Sequence, residues 1–182
     1  MPRYKLILEY DGTPFVGWQR QINGLSVQQV LEEAAEKLSG YSVTAAGAGR
    51  TDTGVHALGM TAHIDLKKNL ATDRVRDALN HHLRPNPIAV LSAAEVSDDF
   101  HARFSCFRRH YLYRITCRRA PLALEANRLW QRGYQLDTEA MQAAAQYLVG
   151  KHDFTTFRST QCQAASPVKT LEILTVAQRA ED

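Results

Sequence analysis

Cysteine is scarce in this chain of 182 residues, and the three present, Cys106, Cys117 and Cys162, show no C-x-x-C spacing. An odd, scattered set excludes a disulfide framework and fits a reduced, cytoplasmic compartment, with each thiol a small buried hydrophobe. Long apolar runs are missing as well: none approaches the roughly 20 residues needed to cross a bilayer, so no membrane association is expected. Met1-Pro2-Arg3-Tyr4-Lys5-Leu6 has no basic segment leading into an apolar one, so secretion is not signalled. What is present is ordinary: 45% hydrophobic and 23% charged residues, a balance that excludes disordered and collagenous chains. The length allows one domain or two small ones. A net charge of +3 hints at a polyanionic partner without naming one.

Acidic residues are missing from one long stretch. Between Phe100 and Ala120 there are six arginines (Arg103, Arg108, Arg109, Arg114, Arg118, Arg119) and no carboxylate, with Phe100, Phe104, Phe107, Tyr111 and Tyr113 interleaved. Arginine offers planar donors to phosphate, and aromatic rings offer faces to unpaired bases. The density therefore favours nucleic-acid contact over a solvated basic strand. Two shorter basic-aromatic clusters, Phe15 to Arg20 and Phe154 to Arg158, suggest further parts of one surface.

The apolar spacing of the first half predicts β-α-β-β-α-β. Tyr4 to Tyr10 is rich in strand formers and stops at Asp11-Gly12-Thr13-Pro14. Ser26-x-x-Gln29 is a capping-box spacing ahead of the stripe Val27, Val30, Leu31, Ala34 and Leu38, and Gly40 ends that helix. Tyr41 to Ala46 reads as a second strand and Thr61 to Leu66 as a third. Thr72 is the expected cap of a second helix with Val75, Ala78, Leu79 and Leu83 inside; Pro85 stops it, and Ile88 to Ala93 is the fourth strand. In the second half His110 to Cys117 alternates as a strand. Asp137 caps a helix carrying Met141, Ala144, Ala145 and Leu148 up to Gly150, and a last strand spans Val168 to Val176.

The expected architecture is α+β: two ferredoxin-like halves, each with helices on one face of an antiparallel sheet, residues 1–100 forming the first and 101–182 an incomplete second. An unfinished half leaves a sheet edge uncovered. Either a partner covers that edge, or the sequence is shorter than the natural protein.

The most informative segment is Gly47-Ala48-Gly49-Arg50-Thr51-Asp52-Thr53-Gly54-Val55-His56, whose three glycines permit tight turns and close backbone approach. Neither a phosphate-binding loop nor a dinucleotide fingerprint fits, because the G-K-[ST] ending is absent and no helix follows directly. What remains is Asp52 beside Arg50. A nearby cation favours the ionised carboxylate, which suits a nucleophile or base; the competing reading is an Asx turn in which Asp52 bonds its own backbone. Asp52-Thr53-Gly54 also spells the aspartic-protease signature, which would need a dimer to bring two carboxylates together.

Gly49-Arg50-Thr51-Asp52-Thr53-Gly54-Val55-His56 resembles the A-G-R-T-D-A-G-V-H motif of the tRNA pseudouridine synthase A family. The likeness extends in order along the chain. Glu9-Tyr10-Asp11-Gly12 with Gly17-Trp18-Gln19-Arg20-Gln21 looks like the family's opening, and Asp98-Asp99-Phe100-His101-Ala102-Arg103-Phe104-Ser105 like its mid-chain signature. Arg109-His110-Tyr111-Leu112-Tyr113 looks like the R-x-Y-x-Y stretch that follows; His152 to Arg158 and Cys162-Gln163-Ala164 match later blocks.

The resemblance implies an isomerase that converts uridine to pseudouridine at positions 38 to 40 of the tRNA anticodon stem-loop, working as a homodimer with tRNA across both subunits. It implies no cofactor and no metal, with which the lack of metal-ligand spacing agrees. Asp52 would be the catalytic carboxylate, attacking C1′ or taking a proton from C2′. Tyr111 would stack on the target uracil, and Arg50 would hold the displaced nucleotide. Arg20, Arg103, Arg109 and Arg158 are the expected RNA contacts. The sequence departs from the family pattern at Thr53, where alanine is usual, and at Met60, where glutamine is common. A C-terminal F-x-x-x-M-V-R-N-type block, whose arginine is thought to pair with the aspartate, has no counterpart here. The alternative expectation is therefore a tRNA-binding fragment with impaired catalysis.

Overall fold

The computed structural model describes residues 1–158 and 166–179, so Cys162 and the Cys162-Gln163-Ala164 block lie outside the described residues. The chain divides into two compact units, Met1–Leu112 and Tyr113–Asp182; the boundary expected after residue 100 falls inside the first.

In the first unit, strand β1 (Arg3–Tyr10) buries every second side chain, Tyr4, Leu6, Leu8 and Tyr10. Helix α1 (Val27–Ser39) starts where its capping residue predicts: the Ser26 hydroxyl accepts the Gln29 N–H at 3.2 Å, and Gly40 ends the helix with φ +80°. Strands β2 (Ala46–Gly47) and β3 (Ala57–Asp65), helix α2 (Thr72–Leu83) and strand β4 (Ile88–Val96) follow. The sheet is antiparallel throughout, in the order β2-β3-β1-β4. Val27, Val30, Leu31, Ala34, Val75, Leu79 and Leu83 from the helices join Tyr4, Leu6, Leu8, Ala62 and Ile64 from the strands in one core, so both helices cover the same face. Each fully buried leucine there, such as Leu6, Leu31 or Leu79, contributes about 1.5–3 kcal/mol.

Strand β3 begins at Ala57, ahead of the expected Thr61, and two further sequence expectations change here. The strand predicted over 41–46 shrinks to Ala46–Gly47 because α1 takes its backbone groups. The Ala45 N–H is donated to Glu32 Oε1 (3.1 Å), and the Ala45 carbonyl accepts Gln28 Nε2 (2.9 Å). Thr72 is not the cap of α2 but its first residue; Ala71 holds the cap position without a side-chain bond, and Asp73 places negative charge in the first turn instead.

The second unit is thinner. Strands β5 (Ile115–Cys117) and β6 (Trp130–Arg132) pair in parallel. Helix α3 (Thr138–Gln146) follows the expected cap, the Asp137 carboxylate accepting the Ala140 N–H at 2.9 Å. Strands β7 (Gly150–Asp153) and β8 (Val168–Leu171) pair antiparallel, with a short 3-10 turn over Thr155–Phe157 between them. The strand expected from His110 to Cys117 is limited to Ile115–Cys117, because β6 offers it only three partners. The strand expected to reach Val176 stops at Leu171. Beyond it the backbone turns to α3: the Val176 N–H is donated to Gln142 Oε1 (2.6 Å), and the Leu174 carbonyl accepts Gln146 Nε2 (3.2 Å). Among the described residues of this unit only Thr116 and Ala145 are buried, and neither completely. No described helix of the chain is long and apolar enough to cross a membrane.

Candidate active site

The loop from Gly47 to His56 joins β2 to β3 and is held against the segment that follows β1. The Trp18 N–H is donated to the Thr51 carbonyl (2.9 Å) and the Gly54 N–H to the Phe15 carbonyl (3.3 Å). The Thr53 hydroxyl donates to the Val16 carbonyl (3.2 Å), and the Tyr10 and Thr51 hydroxyls lie 2.9 Å apart. At the far end the Gly12 N–H is donated to His56 Nδ1 (3.1 Å), with Asp11 Oδ1 at 3.2 Å from the same nitrogen. Two glycines make this approach possible. A Cβ on Gly12 would sit 2.0 Å from the Val55 carbonyl oxygen, and one on Gly17, whose φ is +112°, would sit 2.4 Å from that of Thr51.

Asp52 lies between these clamps with an exposed side chain. Its turn is closed by the backbone, the Val55 N–H being donated to the Asp52 carbonyl at 3.2 Å, and Gly54 takes the positive φ (+78°) at the third position. The Asx reading assigned that closure to the carboxylate; here the carboxylate is released from the task. Buried aromatics frame the loop: Trp18 lies against Gly47, where a Cβ would come within 2.6 Å of the indole, and burial pushes the Tyr10 phenol above its ordinary pKa. Phe15 and Trp18 are thus core residues, 1% and 2% exposed, and not part of a basic-aromatic surface.

The other expected site residues fall in different settings. Arg50 is exposed on the loop itself. Tyr111 is 85% exposed, in a stretch without regular structure. Arg103 is exposed as well. Arg20 Nη1 pairs at 3.0 Å with Glu32, a nearly buried carboxylate that also accepts Gln28 Nε2 (3.1 Å) and the Ala45 N–H, so this arginine helps fasten α1 to the approach of β2. Arg109 Nη2 donates to the Ala48 carbonyl at 2.5 Å. Arg158 belongs to the second unit and is partly buried.

His63 on β3 was invisible to motif reasoning, its only signal being a polar residue on a sheet position. It is buried, and its Nδ1 accepts the Ala102 N–H at 3.2 Å, which requires the neutral ring. Burial lowers its pKa; Arg3 and His101 lower it further, and Asp65 opposes them. The unfolded chain therefore takes up a proton near the ordinary histidine value of about 6.5, while the folded chain resists until lower pH. Stability held above that value is lost as pH falls through it toward the lowered one. The urea midpoint is expected to drop between about pH 7.5 and about pH 5.5, and His63→Gln, which keeps an acceptor, should flatten that drop; an equal slope in both proteins would count against it. Asp65, held below the usual carboxylate range by its bond to Arg3, adds its own loss only in stronger acid.

The amino-acid sequence that builds this fold and loop has counterparts among known proteins. The family described as tRNA pseudouridine synthase matches residues 6–105 and 144–182, and the chain belongs to that family of isomerases acting on tRNA. Among individual relatives, it is 62% identical over all 182 residues to the tRNA pseudouridine synthase A of Maricaulis maris, spanning 73% of that protein. It is 61% identical to that of Afipia carboxidovorans over 181 residues, spanning 74%, and 58% identical to that of Parvibaculum lavamentivorans over 182, also spanning 74%. This membership displaces the aspartic-protease reading of Asp52-Thr53-Gly54.

Proposed function

We propose that this chain isomerises uridine to pseudouridine at positions 38 to 40 of the tRNA anticodon stem-loop, with Asp52 as the catalytic carboxylate. The observation that carries this reading is the loop itself: an exposed aspartate whose backbone is pinned on both sides, within a chain of the pseudouridine synthase family. In the reaction the C1′–N1 bond breaks, the uracil turns, C5 joins C1′, C5 gives up its proton and N1 gains one. Attack on C1′ and proton removal from C2′ both start from the same ionised carboxylate, and a rigid support keeps it in place without reorganisation. Arg50 holds the displaced nucleotide, which must leave its stack before C1′ can be reached. Tyr111 stacks on the uracil; its exposed ring supports this role.

Arg20, Arg103 and Arg158 are the proposed phosphate contacts, setting register without reading sequence. Two ferredoxin-like halves, the first complete and the second partial, form the scaffold in this reading; the sheet order β2-β3-β1-β4 supports it for the first. The working form is a cytoplasmic homodimer with tRNA across both subunits. The test is incubation of the chain with an unmodified tRNA transcript followed by base-specific chemical mapping. Pseudouridine is expected at one or more of positions 38 to 40; modification elsewhere, or none at stoichiometric protein, would overturn the reading.

A further inference from the structure

The segment that follows β4 is fixed to the first unit at three places. Arg3 on β1 donates to the carbonyls of Asp98 (2.7 Å) and Phe100 (2.8 Å). His63 on β3 accepts the Ala102 N–H. The third anchor is Arg109, whose Nη2 donates to the Ala48 carbonyl. Between the last two anchors the chain borders a cavity of about 180 Å³ whose lining includes Ala48, Thr61, Phe107 and Arg108.

The third anchor differs from the others in what it joins. Ala48 is buried, and its N–H is donated to the Thr61 carbonyl on β3 at 2.8 Å, so it is a fixed point at the root of the aspartate loop. Arg109 stands two residues before Tyr111, and Ala48 four before Asp52. The guanidinium also lies along bare backbone: a Cβ on Gly49 would come within 3.3 Å of Arg109 Nε. A planar group that donates through Nη2 while its Nε edge passes a glycine is a fit that a lysine ammonium does not reproduce.

We propose that Arg109 is a positioning residue, a strut that sets the Tyr111 stretch at a fixed separation from the Asp52 loop, and that it acts through the Ala48 carbonyl and not through phosphate. This rests on the reading of Asp52 and Tyr111 as the pair that meets the target nucleotide. Without the strut both elements survive, each on its own anchors, but their mutual placement loosens. A misplacement of about 1 Å is enough to cost roughly a hundredfold in rate.

The experiment compares wild type, Arg109→Ala, Arg109→Lys and Arg103→Ala by steady-state kinetics on tRNA, by the salt dependence of tRNA affinity, and by amide hydrogen exchange of the free proteins. Arg109→Ala is expected to lower kcat by about 10- to 100-fold with KM changed less than about threefold, to leave the salt slope unchanged, and to speed exchange in residues 47–56 and 106–112. Arg109→Lys should recover part of the loss. Arg103→Ala should instead raise KM and reduce the salt slope by about one. A raised KM and reduced slope in Arg109→Ala, with kcat and exchange untouched, would make it a phosphate contact and overturn the strut. If wild type makes no pseudouridine, the functional reading fails on its own, and exchange decides the strut: faster exchange in both segments upholds it, and unchanged exchange overturns it.

Discussion

Asp52→Asn is expected to leave tRNA binding within about threefold of wild type and to lower pseudouridine formation by roughly a thousandfold or more. The amide has the shape of the carboxylate, and the bonds that hold the loop are made by neighbours and by backbone. Trp18, Gly54 and Val55 all use main-chain groups, and Tyr10, Thr53 and His56 use their own side chains. The variant should therefore fold with the loop unmoved and lose only the charge. A neutral amide neither attacks C1′ nor removes a proton from C2′, so both routes stop at the same step. Single-turnover kinetics with chemical mapping reads the rate, and filter binding reads the affinity. Turnover near the wild-type rate would remove Asp52 from the reaction. A wild type that binds tRNA yet forms no product would place the chain with the impaired fragments.

Gly17→Ala is expected to cost about 2–4 kcal/mol of stability and about a hundredfold in pseudouridine formation. Gly17 combines two demands, a φ of +112° and a neighbour already in van der Waals contact, since a methyl group there would lie 2.4 Å from the Thr51 oxygen. Both sides of the residue are committed: the Gly17 carbonyl accepts the Val27 N–H at 3.1 Å, and the next amide, Trp18, reaches Thr51. The clash is relieved only by moving the start of α1 or the residue before Asp52. Gly40 separates strain from collision. Its φ is also positive (+80°), but nothing lies within 4 Å of a Cβ there, so Gly40→Ala should cost about 1 kcal/mol and leave turnover unchanged. Urea midpoints and kcat for the two variants test the contrast; equal losses of activity would show that loop placement is not what Gly17 protects.

Much of the first unit was legible because its signals are local. The Ser26 cap and the stripe of α1 carry their own period, and β1, which alternates loosely, is rich in strand formers and stops at a turn, so their positions follow from sequence. The strand expected over 41–46 survives only at its last residue, because a side chain thirteen residues away, Glu32, competes for the Ala45 amide, and no pattern records that contest. In the second unit β6 and β7 were missed: runs of three and four residues are too short to show a period of two. At the site, the motif pointed to Asp52, but only the structure shows how its support is built. Phe15 and Trp18 read as parts of a surface in one dimension, whereas both pack into the core; Arg20 beside them stays exposed while it pairs with Glu32.

The central place of β1 also governs the order in which this fold can be assembled. Arg3 lies opposite Asp65 on one side and Val96 on the other, so both neighbours of the first strand are made long after it. Contacts so distant in sequence close slowly, because the intervening chain must be gathered before any of them forms. As the polypeptide leaves the ribosome, α1 can form while β1 still has no partner, and the sheet cannot close until β4 has emerged. Of the four strands in this sheet, β1 leaves the ribosome first and gains its second neighbour only with the last.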